Sequence, residues 1–475
     1  MTIKPFKIGF APTRRGKSDT AIAGRYRNLI LEKIKQFDVE IVDIDWLNEE
    51  GLLYDYHQVE KVADRFKAEK IDGLFLAYTN FGCEEATGKL AKLLNCPVLL
   101  WGPRDDIPEK DGMRLRDTQC GLFAASKMLS RHEIPFTYIV NSWIDDQVFE
   151  TGFKRFIGAA SGANAFKNLR IGQIGPRPKP FQTMMCNEAE LLETFQLEVV
   201  PVTLFEIVER VRATIVDEKE LVSDGVQKIK SMIEIDRCSD EALQKMVALK
   251  SVLGDWAKNE KLGSIALQCW SALQDAIGIV PCLINGLLTA EGIPVSCETD
   301  IHSAATAVMM QAATRRASPL FLGELTIRHP QNDNAELLWH CGNYPFDLKN
   351  QNSPTSCCST HYKMEGDIPG EGEFEIKGGP ITIARLDGDH GKYSMLIGEV
   401  KAVPGPLSRG TYVWIETSDW PMWEDHLIRG PYIHHCVGVH GNYAAELHEA
   451  CRYIPGLEPD PVEPTAAQIR SSWLR

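Results

Sequence analysis

Short apolar runs alternate with longer amphipathic stretches through the first third of the chain. Runs at residues 7–11, 40–44, 73–77, 97–101 and 136–140 are dense in Ile, Leu, Val and Phe. Bounded by turn residues, they predict strands buried on both faces. Between them, residues 26–37, 59–69 and 84–94 place apolar side chains at helical spacing. This alternation predicts a parallel sheet wound with helices on both sides.

Five such strands predict a flavodoxin-like α/β domain over residues 1–170. Residues 171–335 repeat the α/β pattern, with strands near 169–175, 197–202 and from 263. The charged amphipathic region 206–257 is interrupted by Gly225 and Gly254, which predicts two helices or more. Gly175-Pro-Arg-Pro-Lys-Pro reads as a loop beside the domain boundary. From 336 the texture changes. Runs at 374–377, 380–385, 393–400 and 411–416 are short and separated by Gly, Asp and Pro, predicting an antiparallel sheet or small barrel over 336–475. A helix at 442–453 and an arm at 457–475 end the chain. The predicted fold class is α/β: two doubly wound parallel-sheet domains, then a mainly antiparallel β domain.

The candidate chemistry concentrates between Gly292 and Arg328. Two apolar runs each lead into an acid, Glu298 and Glu324, with an Ala- and Met-rich helical stretch between them. The pattern predicts strand, helix, strand, with an acid at the carboxyl end of each strand, where ligands of parallel α/β sheets sit. Two acids at one edge hold a divalent metal through hard oxygens, or act as an acid/base pair. A lone strand-end Glu is ordinarily a solvated surface group. Further on, Pro431-Tyr-Ile-His-His-Cys-Val-Gly-Val-His carries three imidazoles. One imidazole added to two carboxylates makes a mixed site suited to manganese, iron or cobalt. Adjacent strand residues point to opposite faces, so one of His434 and His435 is the ligand. His440, before a Gly and a helix, takes a capping or supporting role. The stretch Trp414 to Trp423 is dense in Trp; its second half reads as a loop whose flat faces suit a sugar, although Trp is also core material.

In the first domain no GxGxxG follows the first strand, so a dinucleotide fingerprint is absent. The turn there carries Arg14, Arg15 and Lys17, which reads either as an anion site or as a solvated loop. Trp101 opens a second loop at a strand's carboxyl end, a candidate for site lining and equally for a plain turn. The net charge of −14 argues against nucleic acid or an anionic membrane as partner. The 13 cysteines are scattered, with no CxxC pair, which is the usage of a reducing cytoplasm. No apolar run has the length of a membrane span, and the N-terminus runs into a strand without a signal peptide.

Six motifs then carry a resemblance. They are Leu99-Leu-Trp-Gly-Pro-Arg-Asp, Cys297-Glu-Thr-Asp-Ile, Phe321-Leu-Gly-Glu-Leu, Trp339-His-Cys-Gly-Asn, Thr417-Ser-Asp-Trp-Pro-Met-Trp and the pair His434-His435. In order and spread they resemble the L-fucose isomerase and L-arabinose isomerase family of Mn2+-dependent aldose–ketose isomerases. The resemblance implies Mn2+, or another divalent metal, held by Glu298, Glu324 and His435, with His434 the alternative by one residue. It implies catalytic roles for both acids. It places Gln268, Trp420, His340 and Asn343 around the substrate, and His340 matches a further His of the arabinose branch. It implies a homo-oligomer, a hexamer, in which the loops bearing Arg15 and Trp101 face a neighbour's site. The implied reaction isomerises an open-chain sugar of the fucose or arabinose type through an enediolate, the metal acting as Lewis acid and the carboxylates moving protons. The third domain is shorter than in fucose isomerases, and the second acid is Glu, as in the arabinose branch. Two alternatives stand beside this reading. The basic turn suits a sulfonated or phosphorylated aldose, which forked Arg donors recognise. A sugar-binding protein without catalysis is the other.

Overall fold

The computed structural model describes residues 4–16, 20–363 and 366–474. Lys17 of the basic turn lies outside the described residues. The chain forms two compact units, one of residues 2–164 with 467–475, the other of residues 165–466.

In the first unit, strands Phe6–Thr13, Val39–Val42, Gly73–Tyr78, Val98–Trp101 and Phe136–Tyr138 make one parallel sheet. Their spatial order is second, first, third, fourth, fifth, the flavodoxin-like order. Helices Val59–Glu69 and Glu84–Leu94 match the periodicity residue for residue. Each stops at a residue turned left-handed, Lys70 and Asn95. Phe75, Trp101, Phe149 and Phe153 form an aromatic core, with Trp101 and Phe149 centroids 4.1 Å apart. The chain's end returns here: Arg155 donates to the Ser472 carbonyl at 2.8 Å from helix Ala466–Ser472.

In the second unit, strands Val295–Ser296, Ser264–Leu267, Arg170–Ile174 and Glu198–Val202 lie in that order in a parallel sheet. The helical region forms Leu204–Asp217, Lys219–Met232 and Asp240–Asn259. Neither Gly225 nor Gly254 breaks a helix. A Cβ on Gly225 would stand 2.4 Å from Val247, so this glycine lets two helices approach. The breaks fall at Glu218 and at 233–239, where Glu234–Ile235 pairs as a short strand with Ser356–Thr360.

The largest sheet has ten strands. Lys392–Val403, Pro380–Asp389, His435–His440, Leu320–Arg328, Ala335–His340 and Thr411–Glu416 are neighbours in turn, and the last pairs back on the first, closing a barrel. Leu320–Arg328 is therefore a barrel strand, antiparallel to both neighbours. This corrects the expectation for Glu324: it sits mid-strand in the barrel, and the two acids come from different sheets. A buried apolar run looks the same whether its neighbours run parallel or antiparallel, so the sequence does not distinguish the two. Two further stretches differ from expectation. Residues 457–463 are a strand paired with Lys392–Val403, not an arm. Trp420–Arg429 is a helix, not a loop, capped by Asp419 accepting from the Met422 N–H at 3.2 Å. Its Trp420 and Trp423 close the barrel core, 4% and 0% exposed. Among the described residues, no helix is long and apolar enough to cross a membrane.

Candidate active site and metal centre

Glu298 follows the short strand Val295–Ser296 on a strained turn. Glu298 and Thr299 both adopt left-handed backbone, φ 54° and 59°, at a cost of roughly 1–2 kcal/mol per residue. Three bonds hold the turn: Thr299 N to the Leu267 carbonyl at 3.2 Å, Asp300 N to the Cys297 carbonyl at 3.1 Å, and Thr299 Oγ1 to the Pro176 carbonyl at 3.3 Å. It directs the Glu298 carboxylate at Cys269 and Trp270. Cys269 Sγ and Trp270 Nε1 donate to its Oε1 at 3.4 and 3.2 Å. Its Oε2 is buried without a partner among the described residues.

The barrel supplies the other groups. Glu324 lies opposite His435 on one side and Trp339 on the other. His435 opens its strand and His340 ends its own. The His340 Nε2 stands 3.8 Å from Glu298 Oε2 and 3.6 Å from Glu324 Oε1, and His435 Nε2 stands 3.9 Å from Glu324 Oε1. The His435 Nε2 is also buried without a partner. Its Nδ1 donates to Asp300 Oδ2 at 3.0 Å, which leaves Nε2 a free lone pair facing the acids. Exposed His434 is not part of this cluster.

Asp300 serves three partners. It caps helix Ile301–Ala313 through the Ser303 N–H at 2.9 Å, holds His435, and accepts from Arg385 Nη1 at 2.8 Å. Arg385 in turn binds Asp387 at 2.7 Å, and Asp387 stands 3.2 Å from His302. Burial alone would push Asp300 up, but the Arg385 charge and the His435 bond hold it well below the carboxylate range. Burial, then the neighbouring Cys297, raises Glu298 to about 7. Burial works against a proton on His435, yet its bond to Asp300 and the surrounding carboxylates raise its basicity. A cavity of acids that favours a proton on its imidazole is one that a cation would equally stabilise.

The donor set fits a divalent ion. Ligand atoms about 2.1 Å from one ion stand roughly 3.0–4.2 Å apart, and the 3.9 Å between His435 Nε2 and Glu324 Oε1 falls in that range. Two carboxylates and an imidazole suit manganese, iron or cobalt. Glu298, Glu324 and His435 would hold the ion; the His340 Nδ1 accepts from the Cys341 N–H at 2.8 Å, which leaves its Nε2–H facing both acids as a donor beside that set.

The remaining expected site residues scatter. Gln268 follows strand Ser264–Leu267 directly, half-buried, next to Cys269. Asn343 is buried behind Cys297, its Nδ2 3.6 Å from that sulfur and its Oδ1 unpartnered. Trp420 belongs to the barrel core and Trp101 to the aromatic core of the first unit, 4% and 0% exposed. Arg15 pairs with Glu84 at 2.9 Å in the first unit, half-exposed. Sequence reasoning missed Asp300, Arg385, Cys269 and Trp270. Asp300 offered only the signal of a helix cap; the others gave none. It read 175–180 as a loop but did not bring it to the site, where the Phe181 ring lies 5.4 Å from Trp270 and 6.4 Å from His435.

Comparison with known proteins places this geometry in a family. Residues 9–170 match the N-terminal domain of fucose/sulfoquinovose isomerases, and residues 338–456 match the C-terminal domain of L-fucose isomerases. The chain belongs to the fucose isomerase-like family. As a member it is an enzyme, an aldose–ketose isomerase. A sulfoquinovose isomerase of Priestia aryabhattai is 24% identical over 88% of this chain and 95% of that protein. A sulfoquinovose isomerase of Alkalicoccus urumqiensis is 24% identical over 75% of this chain and 78% of its own. Among solved structures, a periplasmic solute-binding protein of Actinobacillus succinogenes with bound D-allose covers 66% of this chain and 94% of that one, at 11% identity and a TM-score of 0.17; nothing about fold or function follows from so slight a likeness.

Proposed function

We propose that this isomerase depends on a divalent metal, Mn2+ foremost, and acts on an anionic aldose of the sulfoquinovose type. The observation that carries the metal reading is the facing set of Glu298, Glu324 and His435, with the Glu298 Oε2 and the His435 Nε2 buried and without a partner among the described residues. When bound, the ion supplies Lewis-acid polarisation of the sugar's carbonyl and hydroxyl oxygens. The protein's own groups do the rest. Glu298 has one oxygen fixed by Cys269 and Trp270 and keeps only 5% of its side chain exposed, so it anchors. Glu324 keeps 18% of its side chain exposed and faces the open side, so it carries the proton between C2 and C1. Asp300 fixes the tautomer and direction of His435.

Two features favour an anionic over a neutral sugar. The curated relatives reported above are sulfoquinovose isomerases. In addition, the loop that carries Phe181 bears Arg177 and Lys179. Arg177 bonds the Pro178 and Lys179 carbonyls at 3.3 and 3.1 Å and has no carboxylate partner among the described residues. An unneutralised guanidinium is a ready donor to a sulfonate. Arg15 of a neighbouring chain is a second source of positive charge if the protein assembles as a homo-oligomer. The test offers sulfoquinovose and neutral L-fucose and L-arabinose to the Mn2+-loaded protein, with ketose followed by NMR. The proposal expects turnover of the sulfonated sugar, and a raised KM for it alone in Arg177→Ala. Turnover of neutral sugars only, untouched by Arg177→Ala and Arg15→Ala, refutes the anionic reading and restores the neutral one.

A further inference from the structure

One turn beyond His340 lies a second cluster of metal-ligating side chains with different chemistry. Cys282 Sγ and Cys341 Sγ are 3.6 Å apart, and a ring nitrogen of His361 lies within 4.8 Å of both. Neither Cys282 nor Cys341 is in a disulfide. Cys282 and His361 are buried, 2% and 4% exposed. Glu371 is buried beside them at 0%; its Oε2 lies 4.0 Å from His361 Nδ1 and its Oε1 has no partner among the described residues.

We propose that Cys282, Cys341 and His361 bind a zinc ion, with the Glu371 carboxylate buried beside them. Two thiolates on one tetrahedral zinc, each about 2.3 Å away, stand roughly 3.8 Å apart, close to the separation found here. Cys282 is the first residue of helix Cys282–Ala290, where the positive end of the helix dipole favours a thiolate. Donor softness separates the two sites. The catalytic set offers only oxygen and imidazole nitrogen, which suits manganese, whereas two thiolates with an imidazole select zinc.

The site ties three segments together: the start of a helix, the turn after strand Ala335–His340, and the residue after strand Ser356–Thr360. His340 and Cys341 are consecutive, so an ion on Cys341 fixes the backbone that presents His340 to the catalytic acids. The role is positional, and it stands whether or not the substrate is anionic.

Cobalt substitution tests it. A sulfur-to-cobalt charge-transfer band in the near ultraviolet requires a cysteine ligand, which the catalytic set lacks. Full-length protein is purified reduced, stripped of metal and titrated with Co2+. The band is expected in wild type and in Glu298→Gln, is bleached by added Zn2+, and is lost in Cys282→Ala/Cys341→Ala. X-ray absorption at the zinc edge of the wild type gives a reading that does not depend on how the double variant folds: sulfur neighbours at about 2.3 Å are expected. Absence of the band and of sulfur neighbours in wild type overturns the proposal. So does a band that survives in the folded double variant, which would move the metal to another pair such as Cys269 and Cys297 beside Glu298, or Cys238 and Cys358, 3.6 Å apart. A Cys282–Cys341 disulfide in protein purified without reductant, coupled with no zinc under reducing conditions, overturns it as well.

Discussion

Replacing Asp300 with alanine removes a side chain that three neighbours share, and each loss has a size. The cap on helix Ile301–Ala313 goes, at about 1 kcal/mol. Arg385 loses one of two carboxylates in a buried network; breaking such a pair costs about 3–5 kcal/mol, and the surviving 2.7 Å bond to Asp387 puts this case at the low end. His435 loses the acceptor that fixes its ring, which for a metal ligand typically lowers metal affinity about 10–100-fold. The expected stability loss is then about 3–4 kcal/mol, or roughly 6–16 °C in melting temperature at about 2–4 °C per kcal/mol for larger domains. The sign with pH follows from the depressed carboxylate. Its contribution is fully present above the ordinary value of 3.8 and is lost as pH falls through the lower value in the folded protein. The gap between wild type and variant therefore holds from neutral pH down to about 3.8 and narrows below it. Thermal melts across pH, together with Mn2+ titration followed by electron paramagnetic resonance, measure both effects. Asp300→Asn, which can keep the cap and accept from His435, separates geometry from charge. An Asp300→Ala protein that melts with wild type and binds Mn2+ equally well would refute the role given to this network.

Glu324→Gln is expected to lower turnover about 10²–10⁴-fold while leaving the melting temperature in place; wild-type turnover with unchanged metal content would remove Glu324 from the mechanism. Glu336 is buried, has an unpartnered Oε2 and is raised by burial to about 7, so its protonated form is the one the fold prefers. Stability should decline as pH rises from its ordinary 4.5 through that value, and Glu336→Gln should melt several degrees above wild type at pH 8 with the difference vanishing at pH 4; equal pH dependence of the two proteins counts against this. A Cβ on Gly398 would stand 1.8 Å from the Trp423 ring in the barrel core, so Gly398→Ala should cost about 1–3 kcal/mol by overpacking, read by denaturant unfolding; an unchanged midpoint would mean that the ring moves freely.

The first unit was legible because its three central strands, Phe6–Thr13, Gly73–Tyr78 and Val98–Trp101, are buried apolar runs and its helices have their own period; Val59–Glu69 and Glu84–Leu94 emerged residue for residue. Boundaries failed where glycine had a packing rather than a breaking role, as at Gly225 against Val247. Trp420-Pro-Met-Trp read as a loop because Ser, Asp and Pro surround it, yet Asp419 is a cap and Pro421 sits in the first turn, where a missing N–H costs nothing. In the candidate site, Glu298, Glu324 and His435 were reachable from residue type and motif order. His340 was reachable as lining, and the structure turns its Nε2 to both acids. The supporting chain of Asp300, Arg385, Asp387 and His302 was not, because it joins residues 85 apart in sequence whose polarity gives no sign of burial. Pairing across a closed barrel creates that contact, and no local pattern encodes it.

The central claim is that Glu298, Glu324 and His435 hold a divalent ion on which isomerisation depends. Its most direct measurement is turnover of sulfoquinovose by protein stripped with a chelator and then titrated with Mn2+, in wild type and in Glu298→Gln. The account predicts no ketose without metal, a saturable return of activity in wild type, and no return in the variant at the same Mn2+ concentration. Full turnover by the metal-free protein, or full recovery in Glu298→Gln, would contradict it.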